Sequence, residues 1–358
     1  MSPRFQVFVA NPGSTSTKLA LFSEEGPIVQ ESVPVKKLPG GIADQLPAQL
    51  EAAEAFLTAH GVDRLDAAVG RGGLIRPVPS GTLRVNAVML EDARKGYQGE
   101  HVSNLGCLIA LAVAERFGAP AFVVDPVAVD EMGPLARHSG LPHIRRQSLA
   151  HALNLHAAAR KASERIGKPL RESRWVVAHL GGGFSIVPME GGRILDANNA
   201  NSGGPFGPTR AGTLPTQALI KLCFSGEHTA ADLKRMTTKE GGLMAHLGTD
   251  DAREVERRIA AGDAKAREIY EAMAYQVAKE IGAMATVLSG NLDGVVLTGG
   301  IAHSDMFCAW VMDRVGFLGP VFRFPGEFEM EALAAGALRV LRGEEEALDY
   351  PGGTPCPS

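Results

Sequence analysis

Asn11-Pro-Gly-Ser-Thr-Ser-Thr-Lys18 crowds four hydroxyls, a glycine and a lysine into one short segment. Such a turn offers backbone N–H groups and hydroxyl donors to phosphate oxygens, with the Lys18 ammonium as a point charge. It is not a Walker A loop, which has Gly directly before the Lys, Ser or Thr after it and a helix next. Here Thr17 precedes, Leu19 follows and the next segment has a strand pattern. A plain polar hairpin turn has the same composition, so the segment takes its weight from what accompanies it. His179-Leu-Gly-Gly-Gly-Phe-Ser185 is the second candidate, because Gly181, Gly182 and Gly183 let a backbone approach a triphosphate closely. His179 standing alone would more often be a satisfied core histidine. Thr298-Gly-Gly-Ile-Ala-His-Ser304 is the third, placed where a strand meets a helix, the usual ligand position at the carboxyl edge of an α/β sheet. Arginines and acids stand beside glycines in Gly70-Arg71-Gly-Gly73, Asp125-Pro126, Gly203-Gly-Pro-Phe-Gly-Pro-Thr-Arg210-Ala-Gly212 and Gly248-Thr-Asp-Asp251-Ala-Arg253. An arginine fork matches phosphate and carboxylate bidentately, although most arginines in any chain are merely solvated.

The elements that must carry these residues repeat. Phe5 to Asn11 reads as a strand, Leu19 to Phe22 as its hairpin partner, and Ile28 to Val33 as a third strand after a Glu-Glu-Gly turn. The layout returns at Trp175 to Leu180, Phe184 to Val187 and Arg193 to Asp196, again with a phosphate-sized turn first and an acidic-glycine turn second. Two such meanders predict two structurally similar halves. Helices are expected over Gln45 to His60, Ser103 to Phe117, Glu254 to Ala261 and Asp263 to Leu288. Strands are expected at Ala67 to Val69 and Ala121 to Asp125, and a buried parallel strand over Gly294 to Gly300. Each half is then a meander followed by alternating helices and strands, an α/β architecture. The Pro- and Gly-rich tail from Gly352 is expected to fray.

A chain of 358 residues suits two domains of about 150–200 residues with a cleft between them. Hydrophobic residues make up 45% and charged ones 21%, values of a folded chain. The net charge of -4, with no basic run or aromatic stripe, gives no case for nucleic acid. No apolar run reaches membrane-spanning length and no signal-peptide order opens the chain, so a cytoplasmic protein is expected. Cys107, Cys223, Cys308 and Cys356 form no CxxC pair and suggest neither a zinc knuckle nor a disulfide framework.

Taken together, these motifs resemble the acetate and butyrate kinase family, from Phe5 to about Gly343. The likeness is greatest to its butyrate kinase branch, through Arg71-Gly-Gly-Leu, Gly99-Glu-His-Val-Ser-Asn-Leu-Gly106, Asp125-Pro-Val-Ala-Val-Asp-Glu-Met132 and Ser148-Leu-Ala-His151-Ala-Leu-Asn154. The resemblance implies two RNase H-like lobes of the actin, Hsp70 and sugar-kinase type with a nucleotide cleft. It divides the chain into an N-terminal lobe at 1–150, a nucleotide-binding lobe at 151–330, and a last helix within 331–358 returning to the first lobe. It assigns Asn11, Ser14, Ser16 and Lys18 to the first phosphate loop, and His179 with Gly181 to Gly183 to the second. Asp251, Arg253, Gly299, Gly300 and Ile301 fall near the adenosine. Arg210 falls on the transferring phosphoryl group and the substrate carboxylate, Asp125 near the metal and acyl phosphate. Glu329 matches a magnesium-linked glutamate, with Glu331 as its neighbouring alternative. Two departures stand out. The family's second arginine, three positions before Arg71, is Ala68 here, which leaves Arg71 to replace it. The acetate kinase string His-Gly-Thr-Ser-His reads Gln147-Ser-Leu-Ala-His151, keeping only the last histidine.

The implied reaction passes the γ-phosphoryl group of Mg-ATP directly to a short-chain fatty acid, most closely butyrate. Acetate, propionate or a branched acid are the alternatives. A carboxylate with a pKa near ~4 is already ionised and needs no general base. It does need alignment and relief of charge repulsion, the work expected of Arg210, Arg71, Lys18, His179 and Mg²⁺. The family likeness also implies a homodimer or higher homo-oligomer. A protein of the actin or Hsp70 kind, binding ATP to drive assembly, shares the fold and is the rival from another class.

Overall fold

Val7, Phe8, Val9 and Ala10 are all fully buried, as a strand covered by helices on both faces must be. They form the centre of β1 (Gln6–Pro12), which pairs antiparallel with β2 (Ser16–Ser23), and β2 with β3 (Gly26–Pro34). The expected meander is therefore present, with Lys18 in register opposite Asn11. The computed structural model describes residues 4–350, so the tail from Gly352 lies outside the described residues. These residues divide into two compact units. The first runs to Asp130 and resumes at Phe328, and the second is Glu131–Glu327.

In the first unit, β4 (Ala67–Arg71) and β6 (Ala121–Val124) add parallel to β1, and β5 (Thr82–Arg84) closes the edge antiparallel, giving the order β3-β2-β1-β4-β6-β5. Its helices are α1 (Leu46–Ala59), α2 (Ala87–Lys95) and α3 (Gly106–Phe117). The stretch expected to be helical from Ser103 begins instead as a 3-10 turn, Val102–Leu105. Helices α1 and α3 cover the sheet face made by Phe8, Ala10, Ala68 and Val123. Two glycines set how closely: a Cβ on Gly70 would stand 2.0 Å from the Gly106 carbonyl oxygen, and one on Gly106 2.0 Å from that of Arg71. Strand and helix backbones thus touch beside Arg71. Asn104 secures the next turn, its Oδ1 accepting from Leu74 N–H at 2.8 Å while its amino group donates to the Ala93 and Gly99 carbonyls.

The second unit repeats the plan. β7 (Arg174–Leu180), β8 (Phe184–Glu190) and β9 (Arg193–Ile194) form the meander, and β10 (Gly294–Gly299) and β11 (Val321–Pro325) add parallel to β7 in the order β11-β10-β7-β8-β9. Read from the third strand inward, both sheets run third, second, first and then parallel strands, with β5 as the one extra edge. The third strand is shorter than its sequence pattern, and Asp196, beyond its end, pairs with Arg146 at 2.9 Å. The helices here are α4 (Ala152–Arg165), α5 (Thr216–Cys223), α6 (Ala230–Thr238), α7 (Gly242–Leu247), α8 (Ala252–Ala260), α9 (Ala264–Val287) and α10 (Asp305–Val315). A core of Val176, Ala178, Ile186, Tyr270, Met273 and Phe307 lies between sheet and helices.

The chain then returns to the first unit as α11 (Glu329–Leu341), which packs on β1, β4 and β6. Gly336 makes the approach possible, since a Cβ there would meet the Val124 Cγ2 at 2.5 Å. Beyond α11, Leu348 N–H bonds the Thr82 carbonyl at 2.8 Å and Tyr350 is buried. The Tyr350 hydroxyl donates to Asp92 and accepts from Arg76 N–H at 3.2 Å. Arg76 also binds Asp92 through Nε at 2.5 Å and Nη2 at 2.9 Å. That guanidinium holds the Asp92 carboxyl below the usual carboxylate range.

Candidate active site

Parallel strands deliver their last residues to one edge of the first sheet. Val9 pairs with Val69 and Ala10 with Gly70, so Asn11 and Arg71 stand side by side, and Asp125 follows Val124, the register partner of Arg71. Glu329, the first residue of α11, joins them. Its Oε2 accepts from Asn11 Nδ2 at 2.6 Å and Arg71 Nη1 at 3.1 Å, and its Oε1 lies 2.8 Å from Arg71 Nη2. Glu331 is exposed, so of the two acids only Glu329 joins Asn11 and Arg71. Asp125 is buried at φ +39° and its Oδ1 accepts from Gly81 N–H at 2.7 Å. A left-handed non-glycine residue at a sheet's carboxyl edge is a form of strain that clusters at functional sites. Ser14 and Lys18 are exposed around the hairpin turn and Ser16 opens β2. Gln49 Nε2 holds that turn from beneath, donating to the Gly13 carbonyl at 3.0 Å.

The second sheet has a matching edge. His179 is in register with Thr298 on β10 and with Ser185 on β8, and Gly181 to Gly183 form the turn between β7 and β8. Arg210 lies across this turn: a Cβ on Gly183 would fall 1.6 Å from its Nη1. Its Nε is buried with no hydrogen-bond partner, and burial lowers its pKa from the ordinary arginine value. A partly buried guanidinium whose Nε lacks a partner is a ready receiver for an anion. His179 is 2% exposed, and its ring stacks on His151 with centroids 4.2 Å apart. Asn154, on α4, binds the His179 Nδ1 at 2.7 Å and the Thr298 Oγ1 at 3.2 Å. The assigned roles did not include Asn154; its spacing of three from His151, one helical turn, was the available signal.

The acetokinase family model matches residues 140–323. A relative named "Probable butyrate kinase 2", from Caldanaerobacter subterraneus subsp. tengcongensis, is 50% identical over 352 residues, spanning 97% of this chain and 99% of the relative. The chain belongs to the acetokinase family. Among solved structures, acetate kinase of Porphyromonas gingivalis matches 94% of this chain and 100% of its own, at 20% identity and a TM-score of 0.78. A propionate kinase of Francisella tularensis subsp. tularensis SCHU S4 matches 92% and 98%, at 18% identity and 0.75. Two similar α/β lobes, as the sequence implied, are the fold of this acetokinase.

The remaining expected residues of the acetokinase are more dispersed. Asp251 caps α8, its Oδ1 accepting from Arg253 N–H at 2.9 Å, and the exposed Arg253 side chain folds back on it at 3.0 Å. The two side chains pair with each other, and Asp251 N–H donates to the Thr249 hydroxyl at 3.2 Å. Gly299 ends β10 and Gly300 opens the 3-10 turn that follows, whereas the Ile301 side chain is buried in the core, leaving its backbone for any ligand. Among the described residues no three or more His, Cys, Asp or Glu cluster to hold a metal. A magnesium ion carried by a nucleotide keeps several waters and takes one or two carboxylates besides phosphate oxygens. Glu329 and Asp125 fit that modest demand. None of the described helices is long and apolar enough to cross a membrane.

Proposed function

We propose that this acetokinase transfers the γ-phosphoryl group of ATP to the carboxylate of a short-chain fatty acid, with butyrate as the preferred acceptor. A carboxylate oxygen bonds to the γ-phosphorus as the bridging bond to the β-phosphate breaks, and that electron pair leaves with ADP. The observation that carries this reading is Arg210, half-buried, with a buried Nε lacking a partner, and laid against the glycine turn. Such a group matches a trigonal phosphoryl or a carboxylate, and neither a filament nor a clamp needs it. The 50% identity to a relative named as a butyrate kinase supports the choice of acid.

In this reading Asn11, Ser14, Ser16 and Lys18 take phosphate oxygens in the first unit. His179, Gly181, Gly182 and Gly183 do so in the second, with Asp251, Arg253, Gly299, Gly300 and Ile301 serving the adenosine. Arg210 and Arg71 receive the phosphoryl group and the acid. Magnesium would enter with ATP as part of the substrate and offset phosphate charge, and Glu329 and Asp125 are the residues that would hold it. The protein works as a homodimer or higher homo-oligomer in the cytoplasm, and a monomeric mass in solution would overturn the oligomer.

A hydroxylamine trap with Mg-ATP and a series of acids from acetate to valerate tests the reaction. Hydroxamate led by butyrate is the expected result. Hydroxamate led by acetate or propionate would move the acceptor, and none from any acid would return the chain to the ATP-driven binding proteins.

A further inference from the structure

In both units the helix that crosses onto the sheet ties the end of the first strand to the end of its parallel neighbour. Glu329 of α11 does so for Asn11 and Arg71, and Asn154 of α4 for His179 and Thr298. We infer that Asn154 is a positioning residue that holds His179 neutral with its proton on Nε2, so that the ring donates from Nε2 at the glycine turn. The role of that donor rests on the reaction proposed above; the tautomer does not.

The proton is placed by following the hydrogen bonds. The Thr298 hydroxyl has one hydrogen, directed to the Gly326 carbonyl at 3.3 Å, and a carbonyl only accepts. Thr298 Oγ1 therefore offers a lone pair to Asn154, and the amide atom 3.2 Å away must be the amino nitrogen. That fixes the amide orientation, which atomic positions alone leave to inference. The other amino hydrogen points to His179 Nδ1 at 2.7 Å, so Nδ1 carries a lone pair and the neutral ring is protonated at Nε2. An imidazolium would set an N–H against an N–H at that distance. Relief by turning the amide would break the Thr298 link. All three residues are buried, Asn154 and His179 at 2% exposure and Thr298 at 0%.

The surroundings agree. On β8, Ser185 binds the His151 Nδ1 at 2.8 Å, so the stacked second ring has its own partner. A charge on both rings with centroids 4.2 Å apart would be repulsive. Helix α9 presents apolar residues to the sheet, and the segment after β10 brings Ile301 and Ala302. His151 is stacked on the ring, and Arg210 lies at the neighbouring Gly183. His179 Nε2 looks at the turn, since a Cβ on Gly181 would lie 2.8 Å from it.

Histidine ¹⁵N spectra of the full-length, ligand-free protein test the tautomer, with His179→Gln identifying the signal. The expected result is an unprotonated Nδ1 and protonated Nε2, persisting as pH falls through the ordinary histidine range near ~6.5. Asn154→Asp keeps the shape but presents an acceptor, so Nδ1 should become protonated and the ring should titrate higher. In turnover, Asn154→Asp and Asn154→Leu should each lower kcat roughly 10- to 100-fold with little change in KM for either substrate. A protonated Nδ1 in the unaltered protein, or normal kcat in a folded Asn154→Leu variant, would overturn the inference. Hydroxamate failure with the Nε2 tautomer present would remove the reaction and leave the positioning intact.

Discussion

Arg210 is held in a state that costs stability and has use only when an anion is present. A buried donor without a partner is worth about 1–3 kcal/mol of destabilisation, and here it is the Nε of a half-buried arginine. Arg210→Ala should therefore lower turnover about 10²- to 10³-fold while ATP still binds in calorimetry. Its melting temperature should stay level or rise, the opposite of what a structural arginine would give. Gly183 is tied to the same group. Adding one methyl group in Gly183→Ala would drive a Cβ into the guanidinium, so its kinetic defect should approach that of Arg210→Ala. In the double variant the two losses should fail to add, the mark of residues acting as one unit.

At the scale of elements, the two crossing helices are the devices that complete each sheet edge. Glu329→Gln keeps the side-chain shape but leaves Arg71 facing a neutral amide. A half-buried pair of this kind should cost on the order of 1–3 kcal/mol on losing one charge, read as a lower urea midpoint, and Arg71→Ala should be largely silent in that background. The meanders were legible in the sequence because a strand, a turn and its partner are local, and their alternation survives in spite of two-sided burial. The edge contacts were not. Asn11 and Glu329 are 318 positions apart and Arg71 and Glu329 are 258, and no periodicity marks such a pairing. Arg71 was expected to serve as a clamp and Glu329 as a metal-linked acid; the structure adds that the two side chains pair with each other. The residues of the hairpin and glycine turns were found because composition and spacing were themselves unusual. Asn154 and Gln49 have ordinary types on ordinary helices, and only their contacts single them out.

Across the whole molecule, the first unit is made from two distant lengths of chain, and its second length contributes Tyr350 to a buried polar lock. Asp92 has a folded pKa below its unfolded value, so its ionised form stabilises the protein above the ordinary carboxylate range, near ~3.9. That contribution is lost as pH falls from there toward the folded value. Asp92→Asn should thus be less stable than the unaltered protein at neutral pH, with the gap narrowing in acid; a gap independent of pH in chemical unfolding would assign the Arg76 contact to packing alone. Tyr350→Phe should remove about 1–2 kcal/mol by the same assay, since its hydroxyl joins Asp92 and the Arg76 backbone. The divided first unit also sets an order of events during synthesis. A ribosome making about 5–20 residues per second takes on the order of 10–40 s to pass from Glu131 to Glu327. Through that interval the nascent chain holds β1, β4 and β6 without α11, an apolar sheet face open to chaperones, while the second unit is continuous and free to close. Glu329 is translated only after the whole of Glu131–Glu327, so the acid edge of the first sheet is assembled after the second unit has been made.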